Sequence, residues 1–239
     1  GTQQSFTTSQ VGAPTTVAAT EISNSSFTAN WETEEGATSY ILEISTSPNF
    51  ITENYADDLF ISEYIEGSSN NKYIEIYNGT GEDVDLDNYN LRIYYNGNSS
   101  YGTSISLTGT LANGEVIVYS HFNAEVHGAV PTIATYDINF NGDDAIELYN
   151  NSTGTPVDIF GEIGNDPGSG WNVGGNFTAN YTLVRNADVM GGVTTSVAGF
   201  PSLGTEWTSY STNTTSNLGS HDFDGGLISD IIEGYEEVE

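Results

Sequence analysis

Short apolar runs, separated by polar segments, are spread along the middle of the chain. They are residues 73–77, 91–95, 105–107, 116–119 and 145–149. Short apolar runs bounded by turn signals are typical of β-strands. No segment shows the period of an amphipathic helix, and turn-forming residues separate the runs. This spacing predicts an all-β fold, a sandwich or barrel of antiparallel strands.

Four asparagines in this region, Asn78, Asn96, Asn113 and Asn141, each precede a glycine. Asparagine and glycine both tolerate positive φ, which the two central residues of a type I′ hairpin turn require. We therefore expect tight hairpin turns at these four positions.

The N-terminal part has a different pattern. Residues 1–13 are polar and lack periodicity, which predicts a flexible arm. Residues 27–31 alternate and predict a strand, and residues 40–44 predict another.

The stretch SFTANWETEEGATSYILEISTSPNF resembles the opening strands of a bacterial fibronectin type III domain, with Trp31 in the second strand and Tyr40 at the start of the third. A complete domain of this family has about 100 residues and about seven strands. The terminal ISDIIEGYEEVE resembles the segment that follows the third strand. We therefore expect an incomplete fibronectin type III-like domain, formed by residues 14–56 with residues 225–239 as its return strand. The alternative is two domains in series followed by a short acidic tail.

The intervening residues 57–224 resemble a bacterial lamin tail domain. The resemblance rests on LFISEYIEGSSNNKYIEIYNGTGEDVDLDNYNLRIYYNG, NFNGDDAIELYN, VDIFGEIGNDPGSGW and TLVRN. It implies an immunoglobulin-like β-sandwich inserted into the first domain. Bacterial members of the family are similar to accessory modules of secreted nucleases, adhesins and surface proteins. The resemblance also implies that the module has no catalytic chemistry of its own.

Charge limits the partners of this chain. Lys72, Arg92 and Arg185 stand against 33 acidic residues, which gives a net charge of -30. Phosphate backbones and anionic membranes attract clustered Lys and Arg, so we expect neither nucleic-acid binding nor membrane association. No apolar stretch approaches the ~20 residues of a membrane span. Cysteine is absent, which excludes a disulfide scaffold. We predict an extracellular or cell-surface location in a bacterium.

Candidate catalytic residues are few. The three histidines are His121, His127 and His221, and no Gly-x-Ser-x-Gly or His-Glu-x-x-His motif accompanies them. We interpret His121 and His127 as surface-loop residues. His221 resembles part of the closing segment of secreted lamin tail modules. We therefore predict no catalytic residues and no enzyme activity.

Acidic turns are the best candidates for ligands. Asp83, Asp85 and Asp87 alternate like the start of an EF-hand loop, but Asn88 and Tyr94 stand where that motif needs Gly and Glu. The alternative is a solvent-exposed strand face. Asp143 and Asp144 lie in a second turn, and Asp166 lies in a third. Carboxylates in turns suit Ca²⁺, so these six aspartates predict a calcium site.

The chain is rich in tyrosine, with 15 residues, and Tyr94, Tyr95 and Trp171 are candidates for stacking on sugars. Core packing is the alternative for all three. The function we favour is a non-catalytic structural or adhesive module. Such a module would associate with itself by strand complementation, or with other surface proteins. The alternatives are an accessory module of a larger secreted hydrolase or nuclease, and a carbohydrate-binding module that recognises glycans.

Overall fold

The computed structural model describes residues 15–23, 26–37, 55–125 and 130–224. The chain divides into two compact units, Gly1–Phe50 with Ser229–Glu239, and Ile51–Ile228. The predicted arm 1–13, strand 40–44 and return segment 225–239 lie outside the described residues. The insertion of one domain into the other therefore stays a prediction.

The described part of the first unit is an antiparallel hairpin. Its strands are β1 (Thr16–Thr20) and β2 (Thr28–Trp31). Thr16 lies opposite Trp31, and the register shifts between Val17 and Thr20. Strand β2 confirms the strand predicted at 27–31. The fibronectin type III resemblance is not confirmed, because a single hairpin is common to many β-sandwiches.

Sixteen strands lie in the described residues, and those of the second unit form two larger sheets and two short pairs. The remaining strands are β3 (Phe60–Glu66), β4 (Lys72–Tyr77), β5 (Val84–Asp85), β6 (Tyr89–Tyr94), β7 (Thr103–Ser106), β8 (Thr110–Leu111), β9 (Val116–His121), β10 (Ile133–Thr135), β11 (Ala145–Asn150), β12 (Thr155–Phe160), β13 (Asn172–Val173), β14 (Asn176–Phe177), β15 (Thr182–Arg185) and β16 (Trp207–Tyr210). Two 3-10 helices, Leu86–Asn88 and Pro201–Gly204, are the helices of this part of the chain.

The larger sheet has six strands in the order β10-β9-β4-β3-β15-β16, and the other has four in the order β12-β11-β6-β7. Neighbours are antiparallel except β9 and β10, which are parallel. The short pairs are β5 with β8 and β13 with β14. Within the described ranges, no helix is long and apolar enough to cross a membrane.

The core lies between the two larger sheets. Ile61 and Ile74 of the six-stranded sheet join Leu91 and Ile146 of the four-stranded sheet in one buried cluster. One face of each of these strands therefore lies in this core. The chain is all-β, and its sheets have the β-sandwich arrangement expected of an immunoglobulin-like lamin tail fold.

Residues 211–224 cover the other face of the six-stranded sheet, and we call them the C-terminal strap. Leu218 of the strap packs with Ile65, and Phe223 packs against Phe60 with ring centroids 6.1 Å apart. The strap explains why every residue of β3 and β4 is buried. These two strands have protein on both faces.

The prediction of four tight Asn-Gly hairpin turns is largely wrong. Only Asn96 and Gly97 both have positive φ, 48° and 68°. The side chain of Asn78 instead donates to the carbonyl oxygens of Glu82 and Leu111, both at 2.8 Å. Asn78 therefore serves as a side-chain link between loops.

Candidate functional site

The first group of predicted calcium ligands forms turn caps. Oδ1 of Asp85 accepts from the amide of Asp87 at 3.1 Å, and Oδ1 of Asp87 accepts from the amide of Gly109 at 3.0 Å. Asp83 accepts from the amide of Asn113 at 3.2 Å. The segment is a short strand followed by a 3-10 helix, so a continuous strand face is not what the structure shows. Each carboxylate compensates an amide that the turn leaves without a backbone partner.

Asp144, in the second group, is buried and links two loops. Its Oδ1 accepts from the amide of Asn96 at 2.8 Å, and its Oδ2 accepts from the amide of Asn141 at 2.9 Å. Burial raises the pKa of Asp144, and these two hydrogen bonds oppose that rise. This carboxylate ties the β6–β7 loop to the turn before β11.

Asp143 and Asp166 lie near enough to affect each other electrostatically. Burial, and after it the charge of Asp166, raises the pKa of Asp143. Oδ1 of Asp143 is buried without a hydrogen-bond partner. In the part of the chain that the structure describes, no group of three or more His, Asp or Glu side chains is arranged to hold a metal ion. The calcium site stays a prediction, and Asp143 is its most suitable ligand.

All three cationic side chains of the chain form ion pairs within the sandwich. Lys72 pairs with Glu66 at the end of the β3–β4 hairpin. The other two pairs are Arg92 with Glu147 at 3.1 Å and Arg185 with Asp158 at 2.5 Å. The positive charges of Lys and Arg are therefore paired with carboxylates inside the sandwich. The remaining charged groups that a partner could contact are acidic.

The pair of Arg185 and Asp158 joins the two sheets. Arg185 lies on β15 and Asp158 on β12, and both side chains are buried. Asp158 also accepts from the amides of Ile61 and Val193, each at 2.8 Å. Arg185 packs over the Trp207 ring, 4.8 Å from its centroid. Such a well-bonded pair fixes the arrangement of the sheets, and its loss would leave a charge buried without a partner.

Glu63 and Glu75 are two buried carboxyl groups of like charge. They lie directly opposite each other on β3 and β4, and each is only 1% exposed. Neither oxygen of Glu63 has a hydrogen-bond partner. Burial, and secondarily the charge of Glu75, raises the pKa of Glu63 to about 9. At neutral pH this side chain is a neutral acid.

Glu75, unlike Glu63, has hydrogen-bond partners in the protein. Its Oε1 accepts from the Ser62 hydroxyl at 2.7 Å, and its Oε2 accepts from the amide of Gly219 in the strap at 2.6 Å. Burial raises the pKa of Glu75 to about 7, although both hydrogen bonds lower it. The strap is thus bonded to a carboxyl group that titrates near neutrality.

One of the three histidines differs from the sequence-based interpretation. His121 is buried at the end of β9, where its Nδ1 accepts from the amide of Asn123 at 3.1 Å, so its assignment to a surface loop is wrong. His127 lies outside the described residues. Burial, and then the charge of Arg185, lowers the pKa of His221 to about 4. Its ring packs edge-on against Tyr77, 5.0 Å between centroids, so His221 is a neutral packing residue of the strap.

The aromatic residues proposed for sugar stacking are not well placed for it. Tyr94 and Trp171 are buried, and Trp171 packs edge-on against Phe200. Tyr95 is half-buried and its hydroxyl bonds that of Thr103 at 2.8 Å. For these residues the core-packing alternative is the correct one.

Sequence reasoning missed the buried charged residues. Glu63 and Glu75 each stand inside a mainly apolar strand, in FISEYIE and KYIEIY. An acidic residue in the middle of such a run was the available signal, because Glu is almost never fully buried unless paired. The partnership of Arg185 with Asp158 had no comparable signal, since it spans 27 positions.

Comparison with known families agrees with this architecture. Residues 52–164 match the family model of the Lamin Tail Domain. The match covers a little less than half of the chain, and it supports the predicted lamin tail resemblance. No curated protein matches the chain.

The lamin tail match ends before the sandwich does. Strands β15 and β16 complete the six-stranded sheet, and β15 carries Arg185, the partner of Asp158. The strap also lies beyond the match and buries the outer face of that sheet. The folded module is therefore longer than the segment that matches the family model.

Proposed function

We propose that this chain is a non-catalytic structural and adhesive module of a bacterial cell surface, and that it associates with itself through its N-terminal unit. Its larger part carries an immunoglobulin-like sandwich that resembles the lamin tail domain, a structural domain. The buried charged groups of that sandwich, Arg185, Asp158 and Lys72 among them, serve its packing. This supports a scaffold function.

The β1–β2 hairpin is the observation that carries the self-association. Ala29 and Trp31 lie on one face of β2, and Phe27, which immediately precedes the strand, continues this alternation. Trp31 is 38% exposed, and Phe27 is exposed as well. Burying one such aromatic side chain fully would contribute roughly 2–3 kcal/mol. A partner strand or sheet over this face would provide that burial.

Strand donation by a second copy is the mode of association we propose. The arm of residues 1–13 would pair with the β1–β2 hairpin of a neighbour, because open strand edges are templates for added strands. Donation from one copy to the next is heterologous, so it builds rings or filaments.

Charge favours a localised contact of this kind. With a net charge of -30 and all three cations in internal ion pairs, the acidic surfaces of two copies repel each other. Association must then use an apolar surface or backbone pairing, and the hairpin offers both. Added salt would strengthen the contact by screening the repulsion.

Tryptophan fluorescence tests the proposal, because Trp171 and Trp207 are buried and Trp31 is exposed. Acrylamide, which is uncharged, should quench a clear fraction of the emission in dilute protein. That fraction should fall as concentration rises, while light scattering shows a growing mass. Removal of residues 1–13 should keep the protein monomeric and Trp31 quenchable.

Phe27→Asp is the matched disruption, and Phe122→Asp, at an exposed phenylalanine of the second unit, is its control. The first variant should abolish association and the second should leave it intact. A full chain that stays monomeric at millimolar concentration would refute the proposal, as would equal effects of the two variants.

A further inference from the structure

The outer face of the four-stranded sheet carries a cluster of aromatic and charged side chains. Leu91, Ile93 and Ile146 point into the core, so the alternate positions of β6 and β11 point outward. We call this cluster the aromatic–arginine face. It consists of Arg92, Tyr94, Tyr101, Glu147 and Tyr149.

Contacts within the aromatic–arginine face hold its rings in fixed positions. The guanidinium of Arg92 lies 3.4 Å from the centroid of the Tyr149 ring and 4.9 Å from that of Tyr101. Glu147 forms an ion pair with Arg92 at 3.1 Å, and it also accepts a hydrogen bond from the Tyr94 hydroxyl at 2.9 Å. Tyr101 stands edge-on to Tyr94, 6.1 Å between centroids. Rings fixed in this way lose little freedom when a ligand binds.

The residues of the aromatic–arginine face differ in their exposure to solvent. Glu147 and Tyr94 are buried, Arg92 and Tyr149 are half-buried, and Tyr101 is 48% exposed. The cluster thus presents the Tyr101 ring, backed by a guanidinium, to solvent. Packing of the core does not require an aromatic ring that is exposed to solvent and held in place by several contacts.

A ladder of polar side chains runs beside the rings. The Asn151 amide donates to Oδ1 of Asn90 at 2.6 Å, and the Asn90 amide donates to the Ser104 hydroxyl at 2.8 Å. Ser104 lies opposite Arg92 on the neighbouring strand and is exposed. The face therefore combines ring surfaces with neutral hydrogen-bonding groups.

We propose that the aromatic–arginine face binds a neutral polysaccharide. The C–H groups of a pyranose ring are weakly positive and suit the negative face of an aromatic ring. Sugar hydroxyls suit amide and hydroxyl partners such as Asn151 and Ser104. The site lies on an open sheet surface, which favours several consecutive residues of a polymer over a single enclosed sugar.

Charge selects a neutral polymer over an anionic one. Nucleic-acid bases and acidic sugars also stack on aromatic rings, but their negative charges would meet a protein of net charge -30. Arg92 does not offset this repulsion, because Glu147 already neutralises it. This specificity is independent of self-association, which depends on the N-terminal unit.

Native affinity electrophoresis tests the proposal, because the acidic chain migrates readily. The gels contain hydroxyethylcellulose, arabinoxylan or galactomannan as neutral polymers, and polygalacturonate or single-stranded DNA as anionic ones. At least one neutral polymer should retard the full chain. Tyr101→Ala should weaken that retardation about tenfold, the loss expected for one stacking ring.

Tyr136→Ala is the matched control, because Tyr136 is 62% exposed and lies beyond β10 on the other sheet. It should leave the retardation unchanged, and Tyr101→Phe should retain it because the ring remains. Thermal melts check that each variant is folded. Absence of retardation by all three neutral polymers would overturn the proposal. Stronger binding of an anionic polymer, or equal losses in Tyr101→Ala and Tyr136→Ala, would also overturn it.

Discussion

At the scale of single residues, the same sandwich holds one buried charge with many partners and one buried acid with none. Asp158 accepts hydrogen bonds from a guanidinium and from two backbone amides. Glu63 has neither, and it faces a second carboxyl group, Glu75. The free-energy cost of burying a carboxyl group depends on such local partners. We therefore expect substitution of Asp158 to destabilise the protein and substitution of Glu63 to stabilise it.

Replacing Glu63 with Gln should stabilise the protein at alkaline pH. The native side chain keeps its proton up to a pKa of about 9, whereas the ordinary value is 4.5. Between these values the native state binds a proton that the unfolded state has released, so the wild-type free energy of unfolding falls as pH rises. Glu63→Gln removes this loss. We expect a gain of about 2 kcal/mol at pH 8, or roughly 4–8 °C in melting temperature, and little gain at pH 5.

The control is Glu115→Gln, which makes the same charge change at an exposed position. It should shift the melting temperature little and equally at both pH values. If the gain from Glu63→Gln were the same at pH 5 and pH 8, the neutral buried acid would be the wrong description of this side chain.

Replacing Asp158 with Ala should be strongly destabilising. The variant leaves Arg185 buried without its main partner and removes the acceptor of the Ile61 and Val193 amides. A loss of about 3–5 kcal/mol in the free energy of unfolding is typical of such a change. Urea denaturation would measure it.

The comparison variant is Glu147→Ala, because its partner Arg92 is closer to solvent. A smaller loss, below about 2 kcal/mol, is expected there. The double variant Asp158→Leu with Arg185→Met should recover much of the stability, since a packed apolar pair often replaces a buried ion pair without loss. A double variant no better than Asp158→Ala would argue against charge burial as the cause.

At the scale of elements, strands were predictable from the sequence and their partners were not. The runs at 73–77, 91–95 and 145–149 correspond to β4, β6 and β11, because short apolar runs bounded by turn residues favour strands. Such a run does not indicate which strand lies alongside. The parallel pairing of β9 with β10, and the strap over the six-stranded sheet, depend on contacts distant in sequence.

The candidate site was less predictable still. Six aspartates were selected by their turn positions, and five of them, including Asp144, Asp87 and Asp166, accept hydrogen bonds from backbone amides. Whether a turn carboxylate binds a cation or caps its own loop depends on where neighbouring amides point, and composition cannot show this. Tyr101 gave no periodic signal because it lies in the loop between β6 and β7.

Two fragments of the chain that differ in length should differ in their ability to fold. Residues 51–228 should fold alone with one cooperative melting transition, because they hold both sheets and the strap. Residues 52–164, the segment that matches the lamin tail model, should not. Without β15 the strand β3 becomes an edge, Asp158 loses Arg185, and Glu75 loses the strap amide.

Circular dichroism during heating distinguishes the two fragments. A cooperative transition in residues 52–164, close in temperature to that of residues 51–228, would show that the strap and the last two strands are dispensable. A broad, non-cooperative loss of signal is the expected result for the shorter fragment.

At the scale of the whole molecule, the dominant quantity is a net charge of -30 on 239 residues. Folding brings 33 acidic groups closer together than they are in the unfolded chain. The repulsion between these groups is reduced locally inside the sandwich by the ion pairs of Lys72, Arg92 and Arg185. The chain has no other Lys or Arg that could reduce the repulsion at the surface. Self-repulsion of this kind destabilises a compact state and is screened by salt.

The melting temperature should therefore rise with ionic strength. Raising NaCl from about 0.02 M to about 0.3 M shortens the screening length from roughly 20 Å to roughly 6 Å, which removes most repulsion between separate surface carboxylates. CaCl₂ at matched ionic strength tests the predicted calcium site. A specific site adds a concentration-dependent stabilisation, which Asp143→Asn should remove and Asp137→Asn, at an exposed carboxylate away from that turn, should not. Equal melting temperatures in the matched salts would reject the calcium site, and a melting temperature independent of NaCl would reject self-repulsion as a significant cost.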